Sequence, residues 1–513
     1  MKKILSLFLI IFTLQGCVDD LDTQPELEVS LEQLLAEDPN AINGILSRLY
    51  ASFALSSPSG ASSSDIDGDA GEGTFLRGII NLQDLSADGM KNRWGDDGLD
   101  QLTTTSDWDE NNKFFGYLFN RMYYSIAQAN NLIGVLNSVS IENSNQLVAE
   151  AQYIRALSYY YLIDVFGKGV LATEDNLGES NPLPEASRSE LFDYAVSQML
   201  DAEQNLPQTN SYGRATKGAA QMLLTKLYLN AEIYTGTAMY DQAYNYAEKV
   251  INDGGYSLET NFVKLFSKDN DTSTEIIFPL IADADVSQAW GNTTYVVNGC
   301  LSTETMQISQ FGAAEGWTGH SATKAWYGLF GISAQELSDS DDARAALFWT
   351  EGHSFEMDDY KQWGNGFGVT KFRNTDSNGA GTPTTFSSTD FPLFRLADAH
   401  LMSAEATLRG GGGSNADALA YVNAVRARSG ATAITSSDLD LDFVLDERAR
   451  ELNLEGHRRS DLIRFKKFTG SSYVWPWKGN TANGASIPDH YNLYPLPLTA
   501  LSANPNLTQN QGF

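Results

Sequence analysis

Apolar and small residues recur at helical spacing in long runs of this chain, and that spacing restricts its fold more than any other feature. In TKGAAQMLLTKLYLNAEIY, residues 216–234, Ala219, Leu223, Leu227 and Ala231 fall at i, i+4, i+8 and i+12 and line one face of a helix. After a turn at Gly236, MYDQAYNYAEKVIN sets Ala243, Ala247 and Val250 on one stripe. The two stripes loosely match a tetratricopeptide helical pair, with small residues at the crossings and Tyr or Leu between them. Further helical runs cover 32–53, 112–136, 145–167 and 187–207. Successive pairs predict a mostly α fold on an irregular helical solenoid.

The helical period fades over 54–111 and 254–391, which are rich in Gly, Asp, Ser, Thr and aromatics and hold short extended pieces such as EIIFPLI and TTYVVNG. Long loops in a compact domain usually serve binding. Seven of the nine tryptophans fall there, whereas a helical core would keep its large rings in the helices. Three of them adjoin glycine and hydrogen-bonding side chains: Trp94 in Asn92-Arg93-Trp94-Gly95-Asp96, Trp290 near Asn292, and Trp317 between Gly316 and Gly319. A flat indole covers the C–H face of a sugar ring, while amides, guanidinium and carboxylates pair its hydroxyls. Trp94, Trp290, Trp317, Asn92, Arg93, Asp96 and Asn292 are therefore the candidate glycan-binding residues. Trp108, Trp326, Trp349, Trp475 and Trp477 read as packing residues.

The N-terminus carries a different signal. Lys2 and Lys3 precede an apolar run, Ile4–Leu14, and Leu14-Gln15-Gly16-Cys17 follows the pattern of a bacterial lipobox. As a helix the run is about 16 Å long, too short for roughly 30 Å of hydrocarbon. Residues 1–16 are expected to be a signal peptide, Cys17 the lipidated N-terminus, and 17–30 an acidic tether. Asp19, Asp20 and Asp22 resemble the export signal of surface lipoproteins in Bacteroidetes.

Cys300 is the only other cysteine, so no disulfide supports the fold once Cys17 is lipidated. The net charge of −31 disfavours nucleic acid and acidic polymers as ligands. Five scattered histidines form no zinc pattern, and the chain has no nucleophile elbow and no P-loop. No metal or cofactor is expected. Asp65, Asp67, Asp69 and Glu72 look in part like a calcium loop but lack EF-hand spacing, and read as a solvated acidic loop. Among 65 acidic residues no pair stands out as a glycosidase dyad.

Three C-terminal stretches carry a resemblance: FPLFRLADAHLMSAEATLRGGGGSNADALAYVNAVRARS, VLDERARELNLEGHRRSDLIRFKKF, and the closing LYPLPLTALSANPNLTQNQGF. They resemble the SusD/RagB family of surface glycan-binding lipoproteins, and NLQDLSADGMKNRWGDDG is similar to that family's N-terminal Asp-bearing loop. The resemblance implies a single SusD-like domain over 31–513, with helical scaffold near 31–53, 112–253 and 392–513 and a loop-rich binding part over 54–111 and 254–391. It also implies a non-enzymatic protein on the outer face of the outer membrane that passes poly- or oligosaccharide to a SusC-like TonB-dependent transporter. A neutral polymer, with β-glucan as the guess, fits the acidic charge. Glu447, Arg448, Glu451, Glu455, Arg458, Arg459 and Asp461 are expected to form structural ion pairs, with Arg448 and Glu451 as i, i+3 neighbours. His457 is expected to act as a hydrogen-bonding group. A lipid-anchored glycoside hydrolase and a solenoid used only for protein assembly remain as alternatives.

Overall fold

The computed structural model describes residues 31–513 apart from Pro39 and Asp67. The expected signal peptide, Cys17 and the tether lie outside the described residues. A short leading unit ends at Gly44 and contains a helix over Leu31–Glu37; a second, compact unit spans Ile45–Phe513.

The scaffold of the second unit is a row of helices: α1 (Lys113–Ser138), α2 (Ser144–Val165), α3 (Arg188–Asn205), α4 (Lys217–Leu229), α5 (Tyr240–Asp253), α6 (Leu396–Leu408), α7 (Asn415–Arg428), α8 (Leu441–Leu452) and α9 (Arg458–Arg464). From α1 to α7 each packs against the next. Helix α4 touches α3, α5 and α6, and every residue from Gly218 to Leu229 is buried, which explains an apolar character on nearly all sides. It stops at Asn230, whose Nδ2 donates to Lys226 O at 2.9 Å, so Ala231 opens a separate short helix and still stays buried on the expected stripe. Start signals are chemical: Ser187 and Glu190 form a capping box on α3, as Ser414 and Asp417 do on α7. Where α6, α7 and α8 meet, Ala397, Leu401, Ala404, Ala418, Val422, Val425 and Val444 form a sealed core, small residues letting the backbones approach.

The loop-rich part comes from the stretch before α1 and from a longer insertion between α5 and α6, and is rooted by strands. Four matter here: β1 (Met90–Asn92), β2 (Ile276–Leu280), β3 (His320–Ala322) and β4 (Phe391–Arg395). Strand β2 pairs antiparallel with β4, Ile276 opposite Arg395, and closes the insertion at its base. Strand β1 pairs antiparallel with β3, Met90 opposite Ala322 and Asn92 opposite His320. The segment expected as an Asp-bearing loop instead begins as a buried π-helical turn over Ile80–Leu85. Its polar side chains are partnered only in part. Asn81 Oδ1 accepts from Tyr295 OH at 2.5 Å and Gln83 Nε2 donates to Asp164 at 2.7 Å, whereas Asn81 Nδ2 and Asp84 Oδ1 are buried without a partner among the described residues.

The C-terminal charges are structural, but their partners differ from the expectation. Arg459 forms no ion pair among the described residues: it donates to Tyr491 O at 3.2 Å and lies over the Tyr494 ring at 4.2 Å. Arg448 pairs with Asp398 and Asp461, each at 2.8 Å, rather than with Glu451. Glu451 meets Arg344 at 2.8 Å, Arg395 at 2.6 Å, and Arg428. The α8 face carrying Arg448 and Glu451 is turned inward, so the partners of these two come from packed neighbours and not from the next helical turn. Glu447 meets Arg450 one turn on at 3.0 Å, as well as Arg344 and Arg426. Arg344 and Arg395 belong to the insertion and its root, so the network fastens the loop-rich part to the scaffold. Burial alone would push the Glu451 carboxyl up; the three arginines overcome it and hold the carboxyl below its ordinary value.

Candidate functional site

Trp94, Trp290, Trp317 and Asp96 meet at one cavity of about 680 Å³, with Ser62, Asp69, Arg77 and the Gly68–Gly71 backbone completing the wall. The β1–β3 pairing brings two of the rings together. Trp94 follows β1, and its backbone N–H donates to Asn92 Oδ1 at 2.7 Å, which fixes that amide's orientation. Asn92 Nδ2 then faces His320 Nδ1 at 3.1 Å, so Nδ1 accepts and the ring proton is on Nε2. Burial, reinforced by Arg77, lowers the His320 pKa to about 3, and the imidazole behind Trp94 is neutral.

Trp94 Nε1 donates to Trp317 O at 2.9 Å. A Cβ on Gly319 would come within 2.3 Å of the Trp94 ring, so glycine is required for this approach. Trp317 is the middle ring: its centre lies 6.3 Å from Trp94 and 6.1 Å from Trp290, at interplanar angles of 57° and 45°. All three rings are half-buried, and Trp290 rests on Phe386 at 4.4 Å. The result is a bent apolar wall.

The polar side of the cavity comes from the 62–77 segment. Arg121 of α1 pins this segment by donating to Gly73 O, Ser56 O and Asp65. Asp69 Oδ1 accepts from the N–H groups of Gly71 and Glu72 at 2.7 and 2.9 Å. A Cβ on Gly291 would lie 1.9 Å from Thr74 Oγ1, so the Trp290 loop can seat only with glycine there. Arg77 lies over the Tyr295 ring at 4.7 Å and pairs with Glu72 at 3.4 Å and Asp96 at 3.3 Å. Its charge is thus balanced from within the site.

Three expected ligand contacts, Asn92, Asn292 and Arg93, do not line the cavity. Asn92 is fully buried and Asn292 is 1 % exposed; Asn292 Nδ2 donates to Ile281 O at 3.0 Å, and both amides hold loops from behind. Their sequence neighbours face the cavity, but pairing in β1 and the start of the helix Thr293–Cys300 turn the two amides inward. Arg93 pairs with Glu304 at 3.3 Å and is not part of the cavity wall. The acidic stretch is not simply solvated either: Asp65 pairs with Arg121 at 2.6 Å, and Glu72 with Lys113 at 2.8 Å. No group of three or more His, Cys, Asp or Glu residues among the described residues is arranged to hold a metal. Trp108, Trp326 and Trp475 are buried, whereas Trp349 and Trp477 are half-buried.

Sequence reasoning missed Arg77 and Asp69 as cavity residues. In the sequence Asp69 is one acid in an acidic run, and Arg77 sits in an unremarkable helical FLRGI stretch. The carboxyls that burial raises most clearly lie elsewhere: Asp84, at about 7, accepts from Gly456 N–H, and Asp390, at about 6, accepts from Tyr212 OH and Ala282 N–H.

A paired-helix scaffold carrying an aromatic-walled cavity on inserted loops defines a class of helical-repeat binding proteins. The chain belongs to the SusD family: the family profile described as "SusD family" matches residues 358–513, and one described as "Starch-binding associating with outer membrane" matches 83–229. It is 32% identical to the starch-binding protein SusD of Bacteroides thetaiotaomicron over 97% of this chain and 96% of that protein. It is 23% identical to SusD-like protein P25 of Formosa agariphila over 99% of this chain and 98% of that one. Among solved structures, a SusD superfamily protein from Parabacteroides distasonis superposes with a TM-score of 0.72 at 21% identity, covering 93% of this chain and 99% of that one. A laminarin-binding SusD-like protein superposes at 0.69 and 22% identity, covering 92% and 99%.

Proposed function

We propose that this protein is a surface lipoprotein that captures a neutral glucan between Trp94, Trp290 and Trp317 and passes it to a SusC-like outer-membrane transporter. The observation that carries the reading is the meeting of three half-exposed indoles, from three separate loops, at one cavity with balanced polar groups opposite. Asp96, Asp69 and Arg77 supply donors and acceptors for sugar hydroxyls. The names of a starch-binding relative and a laminarin-binding structural neighbour support a glucan, α-linked in the first case and β-linked in the second. Outer-membrane association follows the matched family description, and Cys17 is the proposed point of lipid attachment.

Each aromatic side chain carries about 150–250 Å², of which a stacked sugar covers roughly a third. At about 25 cal/mol per Å² that is roughly 1–2 kcal/mol per ring. Three rings give about 3–6 kcal/mol before ordering costs, an affinity no tighter than about tens of micromolar from stacking alone, suited to a ligand that must be released onward.

The test is affinity electrophoresis of the purified chain in gels containing amylopectin or laminarin, with the same incubations assayed for released sugar. Retardation without product supports the proposal. Product formation would instead establish the hydrolase alternative, and neither effect would leave the protein-assembly alternative. Mild detergent extraction should co-purify a large β-barrel protein, and recovery of the chain alone would count against the transporter partnership.

A further inference from the structure

Near the C-terminus, residues 473–480 invert the usual order of burial. Lys478 is fully buried, its Nζ donating to Tyr473 O at 2.7 Å and Gly470 O at 3.2 Å, whereas Trp477 beside it is left half-exposed. An ammonium loses far more on leaving water than an indole does, so packing alone does not account for this choice. Trp477 also takes φ 70° and ψ 5°, a left-handed backbone that bulky residues seldom adopt and that clusters at functional sites.

The ring is fixed rather than loose. Its Nε1 donates to Met357 O at 2.9 Å, and its backbone N–H donates to Thr481 O at 3.0 Å. The half-exposed ring of Tyr360 meets it at 4.9 Å and 69°, so two aromatic surfaces form one corner. Lys361 joins that corner to the cavity already described. Its Nζ lies 5.0 Å from the Tyr360 ring centre and donates to Asp100 Oδ1 at 2.5 Å and to Trp94 O at 2.7 Å. Both Lys361 and Asp100 keep part of their side chains in solvent, 33% and 46%, within reach of hydroxyls. One lysine side chain thus spans from the wall of the tryptophan cavity to the aromatic corner.

We propose that Tyr360 and Trp477 form a second carbohydrate-contact site, which takes a further uncharged sugar residue of a glycan already seated among Trp94, Trp290 and Trp317. The inference rests on the reading of that cavity as a glycan site, and its test separates the two. Calorimetric titration of the full chain with maltotriose, maltoheptaose, laminaritriose and laminariheptaose compares wild type with Trp477→Asn, Tyr360→Ala and Trp317→Ala. Asparagine tolerates the left-handed backbone, so Trp477→Asn removes the ring with little strain. Both corner variants should bind the heptasaccharide of the accepted series about three- to tenfold more weakly, with trisaccharide affinity unchanged. Trp317→Ala should weaken both lengths. Unchanged heptasaccharide affinity in the corner variants overturns the second site, and so does an equal loss for both lengths, which would make the corner a support of the main cavity. If Trp477→Asn does not fold, Tyr360→Ala decides alone. Failure of wild type to bind any of the four sugars overturns the parent reading, and the second site with it.

Discussion

At the scale of single residues, the three cavity tryptophans are not equivalent. Trp317 has its Nε1 on Glu315, an exposed partner, and its backbone contacts survive truncation. Trp317→Ala should weaken glucan binding by about tenfold, one stacked ring, with the melting temperature nearly unchanged. Trp94 also holds structure: its Nε1 secures Trp317 O, and its ring packs on Tyr295 and His320 at 5.9 and 5.2 Å. Trp94→Ala should therefore bring the same loss of binding together with about 2 kcal/mol of stability. Denaturant titration of the two variants distinguishes them; equal stability would show Trp94 to be a ligand contact alone.

At the scale of elements, the decisive joint is between the insertion and α8. Arg395, at the end of β4, reaches Glu275 at 2.9 Å, Glu451 at 2.6 Å and Glu455 at 2.6 Å in a fully buried cluster. Removing one cation there strands carboxylates without water, and Arg395→Ala should cost about 3–5 kcal/mol. The capping box of α3 is a contrasting case. Ser187 is exposed to solvent with its partner Glu190, so Ser187→Ala should cost only about 1 kcal/mol and leave ligand binding intact. Urea unfolding midpoints check both values, and a similar small effect for the two would show that the buried network is not what fastens the loops.

At the scale of the whole molecule, buried histidines set a pH dependence. Burial lowers both His320 and His457 to about 3, so each stays neutral in the fold, whereas in the unfolded chain each takes a proton near pH 6.5. Between those values the unfolded state binds more protons, and stability is fully present above about pH 6.5 and declines as pH falls toward 3. Glu451 and Asp461, which their arginine partners hold below the ordinary carboxylate range against the effect of burial, extend the loss at still lower pH. Asp84 opposes it: raised to about 7 by burial, it takes up its proton in the fold first and favours the folded state as pH drops from 7 to about 4. Asp390, raised to about 6 by burial, acts in the same sense as Asp84, while His400, lowered to about 4 by burial, joins His320 and His457. Three histidines against two carboxyls leave a net decrease. The melting temperature at pH 5 should lie below that at pH 7.5, and a flat or rising profile would contradict this balance. The chain's net charge of −31 bears on ligand choice at the same scale: alginate, a polyuronate, should show no retardation where a neutral glucan does.

Helix positions were legible because amphipathic spacing is local. Ala219, Leu223, Leu227 and Ala231 announce a buried face within thirteen residues, and all four are fully buried. The family was legible in a tail whose motifs stand close together. The tryptophans that line the cavity could be picked out from glycine and polar neighbours, since close approach leaves a local mark. Their polar complement could not. Arg77 and Asp69 enter the cavity because Arg121, on a helix far along the chain, pins their segment, and Asn92 and Asn292 turn away because of strand pairing and a helix start. Nor could the sequence choose partners for Glu451, since any of several arginines satisfies a carboxylate and only packing decides which one is buried beside it. Periodicity and glycine act over a few residues, and the sequence determines what they control; charge partners and the facing of loop side chains depend on contacts between distant segments, and only the tertiary structure decides them.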